Sequence, residues 1–187
     1  MTLPKEVILE ALRCCRDVYP NEKDFLVSRK CEGHTILAVE GTNETTDWIT
    51  NLKFLIKRDD CHRGFKNNAN RTLAELVVAY EGLDPKRTLV IAGHSLGGAT
   101  ATLIADLLWE SGNKNIALVT AGAPRPGGRA LRKRLEGLEI LRFVHGNDIV
   151  PNTPPFITGY VHPHHKIQLE DISETRFDGV TDHNIGD

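Results

Sequence analysis

The stretch that decides the fold is LVIAGHSLGGATATLIADLL, residues 89–108. It begins as a continuous apolar run, passes through Gly93, Ser95 and Gly97, and continues with small and apolar residues at helical spacing. A short apolar run of this kind is typical of a strand that is buried on both faces of a parallel sheet. The stretch therefore predicts a strand, a tight turn that carries Ser95, and a helix.

The same alternation of strands and helices continues on both sides of this stretch. A strand, a covering helix and a parallel strand form the usual unit of a sheet with helices on both faces, so we expect an α/β fold with a mostly parallel sheet. A chain of 187 residues suffices for one domain, which we predict over residues 1–187. The pattern predicts further strands at 24–28, 34–40, 115–122 and 139–146, and helices at 4–17, 70–83 and 128–137.

Composition and the N-terminus narrow the class of protein. The net charge is −2, so there is no basic excess and we expect no nucleic-acid partner. Residues 1–20 contain no long uncharged apolar run, so we predict neither a secretory signal nor a transmembrane segment. The initial Met favours a cytoplasmic protein, unless a signal has been removed.

The four cysteines are Cys14, Cys15, Cys31 and Cys61. Two of them are adjacent and none forms a C-x-x-C pair, so we expect no metal site. We favour four reduced thiols that are partly buried, and a disulfide between Cys31 and Cys61 stays open.

The glycines around Ser95 predict a sharp, strained turn that lifts the serine hydroxyl off the sheet. The N-terminus of the following helix would bring free N–H groups and the positive end of its dipole beside that hydroxyl. This is the nucleophile elbow of α/β-hydrolases, and it predicts a compact form of that fold. The alternatives are a glycine-rich turn with an incidental serine and, more weakly, a phosphate-binding loop, which would need a lysine after the glycines.

A serine nucleophile needs a base to accept its proton and an acid to orient that base, and α/β-hydrolases carry them in the order Ser, acid, His. Asp148 follows an apolar strand and is the expected acid, whereas Asp106 lies on the helix after the turn and points elsewhere. His183 is the last histidine and the expected base. We interpret the histidines of HPHH, residues 162–165, as surface or strand residues rather than metal ligands.

Two N–H groups are needed to stabilise a tetrahedral oxyanion. One belongs to Leu96, the residue after Ser95. The other is expected from Thr42, which follows the strand at 34–40 and a glycine. An ordinary polar turn at Thr42 is the alternative.

Several separated motifs resemble the class 3 lipases, a fungal triacylglycerol lipase-like family, over residues 34–184. The resemblance implies a serine carboxylic-ester hydrolase with Ser95 as nucleophile, Asp148 as acid, His183 as base, Thr42 and Leu96 at the oxyanion, and no cofactor or metal. The substrate would be a lipid or simpler acyl ester, and action at a lipid–water interface stays open. The motifs are AVEGTNETTDWITNL (38–52), CHRGF (61–65), VIAGHSLGGATATLIA (90–105), TAGAPRPGG (120–128), RFVHGNDIVPNTPP (142–155) and DHN (182–184).

The resemblance also implies a lid, whose apolar face would carry Trp48, Ile49 and Leu52. The family usually has an Arg–Asp pair at the lid, where this chain has Glu40 and Asn51. Whether the lid moves is therefore undecided, and the alternative is a short packed helix that never opens. A phospholipase A1 or galactolipase activity, acyl transfer to an alcohol other than water, and an inactive lipid-binding relative also stay open.

Overall fold

The computed structural model describes residues 2–18, 26–41, 84 and 86–169. These residues form helices α1 (Lys5–Asp17), α2 (Leu96–Glu110) and α3 (Arg129–Arg134). The strands are β1 (Leu26–Cys31), β2 (His34–Val39), β3 (Thr88–His94), β4 (Ile116–Ala121), β5 (Glu139–His145) and β6 (Ile167–Leu169), and short 3-10 helices span Val150–Asn152 and Phe156–Thr158. The predicted helix over 70–83 lies outside the described residues.

The six strands form one sheet in the order β1-β2-β3-β4-β5-β6. The hairpin of β1 and β2 is antiparallel, and it turns at Glu32 and Gly33, both of which have positive φ angles. Each later neighbouring pair is parallel. The predicted α/β fold with a mostly parallel sheet is confirmed.

Apolar side chains alternate between the two faces of the sheet because successive strand residues point in opposite directions. On one face Ile36 and Val90 pack with the buried side of α1, and on the other Leu37 and Ile91 pack with α2. Full burial of such a side chain contributes about 1.5–3 kcal/mol relative to exposure. These two apolar layers hold the helices against the sheet.

The carboxyl ends of β2 to β5 all meet at one edge of the sheet, because these strands run parallel. Val39 is paired with Gly93, and His94 with Ala121, so the chain leaves three neighbouring strands at nearly the same level. Ser95 follows β3 at this edge, and Asp148 lies in the loop that follows β5. Open α/β sheets bind their ligands at such an edge.

Candidate active site

Ser95 occupies the strained turn between β3 and α2. Its φ angle is 55° and its ψ angle is −129°, and only 1% of the residue is exposed. Its N–H donates to the carbonyl oxygen of Ala121 at 3.0 Å, while its own carbonyl accepts from Gly98 at 3.0 Å. A positive φ is uncommon for a residue with a Cβ, and such strain is typical of functional turns. The predicted turn is present.

Three glycines make this turn sterically possible. A Cβ on Gly93 would lie 2.3 Å from the carbonyl oxygen of Gly97, and one on Gly97 would lie 2.3 Å from that of Val39. A Cβ on Gly98 would lie 2.6 Å from the Cβ of Ala123. The missing side chains therefore let α2 begin directly against the ends of β2 and β3.

Leu96 is the first residue of α2, so its N–H has no acceptor within the helix. It lies next to Ser95 at the positive end of a helix of 15 residues. This is where a donor to a developing oxyanion is needed. Thr42, the second expected donor, lies outside the described residues, because the described segment that contains β2 ends at Gly41.

Asp148 is held in a defined orientation by the backbone of its own loop. Its Oδ1 accepts a hydrogen bond from the N–H of Val150 at 2.9 Å, and its N–H donates to the carbonyl oxygen of His145 at 3.1 Å. The residue is only 4% exposed. The loop thus fixes a buried carboxylate at the edge that also carries Ser95.

Arg125 and His162 clamp the loop that follows Asp148. The N–H of Arg125 donates to Thr153 at 2.7 Å, and its guanidinium Nη1 donates to the carbonyl oxygens of Asn152 and Pro154. His162 Nε2 lies 2.7 Å from the carbonyl oxygen of Pro151. The two side chains therefore bind the carbonyl groups of Pro151, Asn152 and Pro154, and the backbone N–H of Arg125 binds the carbonyl group of Thr153 between them.

His162 acts as a neutral donor in this clamp. Burial, together with the charges of Arg142 and Arg125, lowers the pKa of His162 to about 3 against the opposing effect of the hydrogen bond to Pro151. A neutral imidazole that faces a carbonyl must carry its proton on the facing nitrogen, here Nε2. His162 is thus half-buried and hydrogen-bonded to the Asp148 loop, a contact that its interpretation as a surface or strand residue did not include. His164 and His165 are exposed, as expected.

Asp106 has a structural partner rather than a position in the site. Its carboxylate accepts from Arg134 Nε at 3.0 Å and from Arg134 Nη2 at 2.8 Å. This bidentate pair joins α2 to α3. The prediction that Asp106 points elsewhere is confirmed.

The cysteines of α1 belong to the core. Burial raises the pKa of the Cys14 thiol to about 11, and it raises the pKa of Cys15 further. Both are free, and so is Cys31, whereas Cys61 lies outside the described residues. Protonated, buried thiols of this kind are poor nucleophiles.

The remaining predicted site residues lie in parts of the chain that the structure does not describe. These residues are Thr42 at the oxyanion, Trp48, Ile49 and Leu52 of the lid, and His183, the expected base. Their roles stay predictions, as do the catalytic roles of Ser95, Leu96 and Asp148.

Comparisons with known proteins agree on one family. The family model described as lipase (class 3) matches residues 36–158. A lipase from Rhizomucor miehei is 31% identical over 170 residues, which cover 81% of this chain and 46% of that protein. Secreted mono- and diacylglycerol lipase 1 from Fusarium solani is 34% identical over 150 residues, covering 74% of this chain and 44% of that protein. The chain thus spans less than half the length of these two relatives.

The structural comparison gives the same result. Lipase II from Rhizopus niveus superposes with a TM-score of 0.71 and 25% identity, covering 88% of this chain and 78% of that one. Relatives from Fusarium solani and Penicillium cyclopium are secreted by name, so the prediction that favoured the cytoplasm is wrong. Among the described helices, none is both long and apolar enough to cross a bilayer. The chain belongs to the class 3 lipase family and has the α/β-hydrolase fold.

Proposed function

We propose that this chain hydrolyses carboxylic esters of acylglycerols, with Ser95 as the nucleophile. The observation that carries the proposal is the position of Ser95, held at a φ of 55° at the N-terminus of α2. The relatives named lipase and mono- and diacylglycerol lipase support the substrate class. No metal or cofactor is required for this chemistry.

In the proposed reaction, Ser95 Oγ attacks the ester carbonyl carbon while His183 accepts the hydroxyl proton. The N–H groups of Leu96 and Thr42 stabilise the tetrahedral oxyanion. When the carbon–oxygen bond to the alcohol breaks, His183 protonates the leaving alcohol and an acyl-serine remains. His183 then takes a proton from water, whose oxygen attacks the acyl carbon. The bond between that carbon and Ser95 Oγ breaks, His183 returns the proton to Ser95 Oγ, and the acid is released. Asp148 stays ionised and orients His183 throughout.

We further propose that the segment with Trp48, Ile49 and Leu52 is a lid that moves at a lipid surface. A segment with a large apolar face covers a site in water and transfers that face to lipid when an interface is present. Hydrolysis should then increase sharply above the micellar threshold of the substrate. A segment that never opens would give no such increase.

The test is hydrolysis of p-nitrophenyl esters from acetyl to palmitoyl, below and above that threshold. Ser95→Ala should lower kcat by on the order of 10³-fold or more. The matched control is Ser111→Ala, which removes an exposed hydroxyl at the far end of α2. Near-normal turnover by Ser95→Ala would contradict the mechanism. If wild type is inactive and an active-serine phosphonate fails to label Ser95, the chain is an inactive lipid-binding relative instead.

A further inference from the structure

A cavity of about 290 Å³ lies beside the loop that carries Asp148, and more positive than negative side chains line it. Arg125, Arg142 and Lys166 line it, and we call it the cation cavity. Asp148 is the one carboxylate that lines it among the described residues. Its Oδ1 already accepts a hydrogen bond from Val150. Three cations therefore surround a space into which a single carboxylate faces.

Arg142 is the buried member of this group. It is on the buried side of β5 with Ile140 and Val144, and only 7% of it is exposed. Its Nε donates to the carbonyl oxygen of His164 at 3.3 Å, and no carboxylate pairs with it in the described part of the chain. Burial, together with the charge of Arg125, lowers its pKa to about 10. It is still a cation at neutral pH.

Apart from Asp148, the described side chains near Arg142 at the cavity carry positive charge or none. Arg125 is a second guanidinium, and its Nη1 is bound to neutral carbonyl groups. His162 is half-buried and uncharged, so it adds no charge of either sign. Lys166 is exposed at the cavity and donates to Gln168. A buried, uncompensated charge is costly, and a counter-ion removes much of that cost.

We propose that the cation cavity binds a small oxyanion, such as phosphate, sulfate or the phosphate of a lipid headgroup. The planar guanidinium of Arg142 suits a tetrahedral oxyanion because it donates two parallel hydrogen bonds. Lys166 adds a mobile point charge from the solvent side. The proposed catalytic acid Asp148 lines the same cavity, but binding of the anion does not depend on the proposed hydrolysis.

The test measures binding of inorganic phosphate to the full chain by calorimetry, with ionic strength held constant by chloride. Lys166→Met should weaken binding by about tenfold, the typical effect of losing one charged hydrogen-bond partner. Arg142→Met should abolish binding. Lys133→Met, an exposed cation on α3 outside the cavity, is the matched control and should bind as wild type does.

Vesicles separate the two sources of the anion. If the cavity binds a headgroup, the protein should bind vesicles of phosphatidic acid more than vesicles of phosphatidylcholine, and Lys166→Met should reduce this binding. If the protein binds inorganic phosphate but not these vesicles, the cavity binds a free anion. Equal phosphate affinity in wild type and Lys166→Met would overturn the proposal, as would no binding of either probe. Because Lys166 is exposed, this variant decides the question even if Arg142→Met fails to fold.

Discussion

Gly93 and Gly97 approach so closely that a Cβ atom added to Gly93 would lie 2.3 Å from the carbonyl oxygen of Gly97. Both contacts of that hypothetical atom with Gly97 are to backbone, which has no flexible end that could move aside. The two glycines therefore set the radius of the turn that presents Ser95. Any side chain at position 93 must move the start of α2 away from β3.

Gly93→Ala should accordingly destabilise the protein by about 3 kcal/mol or more, since overpacking against backbone cannot relax. It should also abolish ester hydrolysis. Urea unfolding and the p-nitrophenyl ester assay measure the two effects. Gly112→Ala is the control, because its φ is +96° but nothing lies within 4 Å of its Cβ. It should lose only about 1 kcal/mol, and equal losses in the two variants would contradict the steric argument.

Asp148→Asn should lower kcat by about 10³–10⁴-fold with little change in KM, because an amide no longer holds the imidazole in its catalytic tautomer. The fold should survive, since the amide oxygen still accepts from the N–H of Val150. Asp106→Asn is the matched control. It weakens the pair with Arg134 and should lower stability but leave kcat unchanged. Loss of kcat in the control alone would reverse the assignment of the acid.

Much of this arrangement follows from sequence pattern. Apolar runs such as residues 89–93 predict the buried strands, and the glycines around Ser95 predict the turn, because both signals are local. The clamp formed by Arg125 and His162 has no such signal. Its contacts join residues 11 to 29 positions apart in loops, and no periodic pattern in the sequence marks them. The strand β6 was not among the predicted strands. Its three residues, at 167–169, are all exposed, so no apolar run marks it.

The clamp gives a third prediction. Arg125→Met removes the side-chain donors to Asn152 and Pro154. Asn152 is exposed, whereas Pro154 is buried, and a buried acceptor left without a donor costs about 1–3 kcal/mol. Because these carbonyls lie four and six residues after Asp148 in the same loop, we expect kcat to fall by about tenfold or more while KM changes little. Steady-state kinetics on a short-chain ester measures both constants.

The control for this variant is Arg134→Met, which breaks the helix-joining pair with Asp106 far from the loop. It should lower stability comparably and leave kcat near the wild-type value. If the two variants lose kcat to the same extent, the clamp acts only through general stability. Arg125→Lys should recover part of kcat if the donor itself is what matters.

The neutral His162 predicts a pH dependence of stability. Its pKa is lowered from 6.5 to about 3 in the fold, so below pH 6.5 the unfolded chain binds a proton that the folded chain does not. Stability should therefore fall as the pH falls from 6.5 towards 3, by about 1.4 kcal/mol per pH unit.

His162→Asn keeps an N–H donor but does not titrate. The number of protons taken up on unfolding in this pH range should therefore be smaller by one, and the slope of stability against pH should be shallower. Urea unfolding between about pH 7 and pH 5 measures the slope. His164→Asn, at an exposed neighbouring position, should retain the wild-type slope. Parallel curves for wild type and His162→Asn would show that His162 titrates normally.

The backbone of Ser95 finally bears on how the sequence has been selected. A φ of 55° suits glycine, and a residue with a Cβ pays about 1–3 kcal/mol to adopt it. Ser95→Gly should thus yield a more stable protein with no nucleophile. In a chain selected only for folding, we would expect glycine at position 95. A serine with this strained backbone is what selection for a hydroxyl at this position would leave.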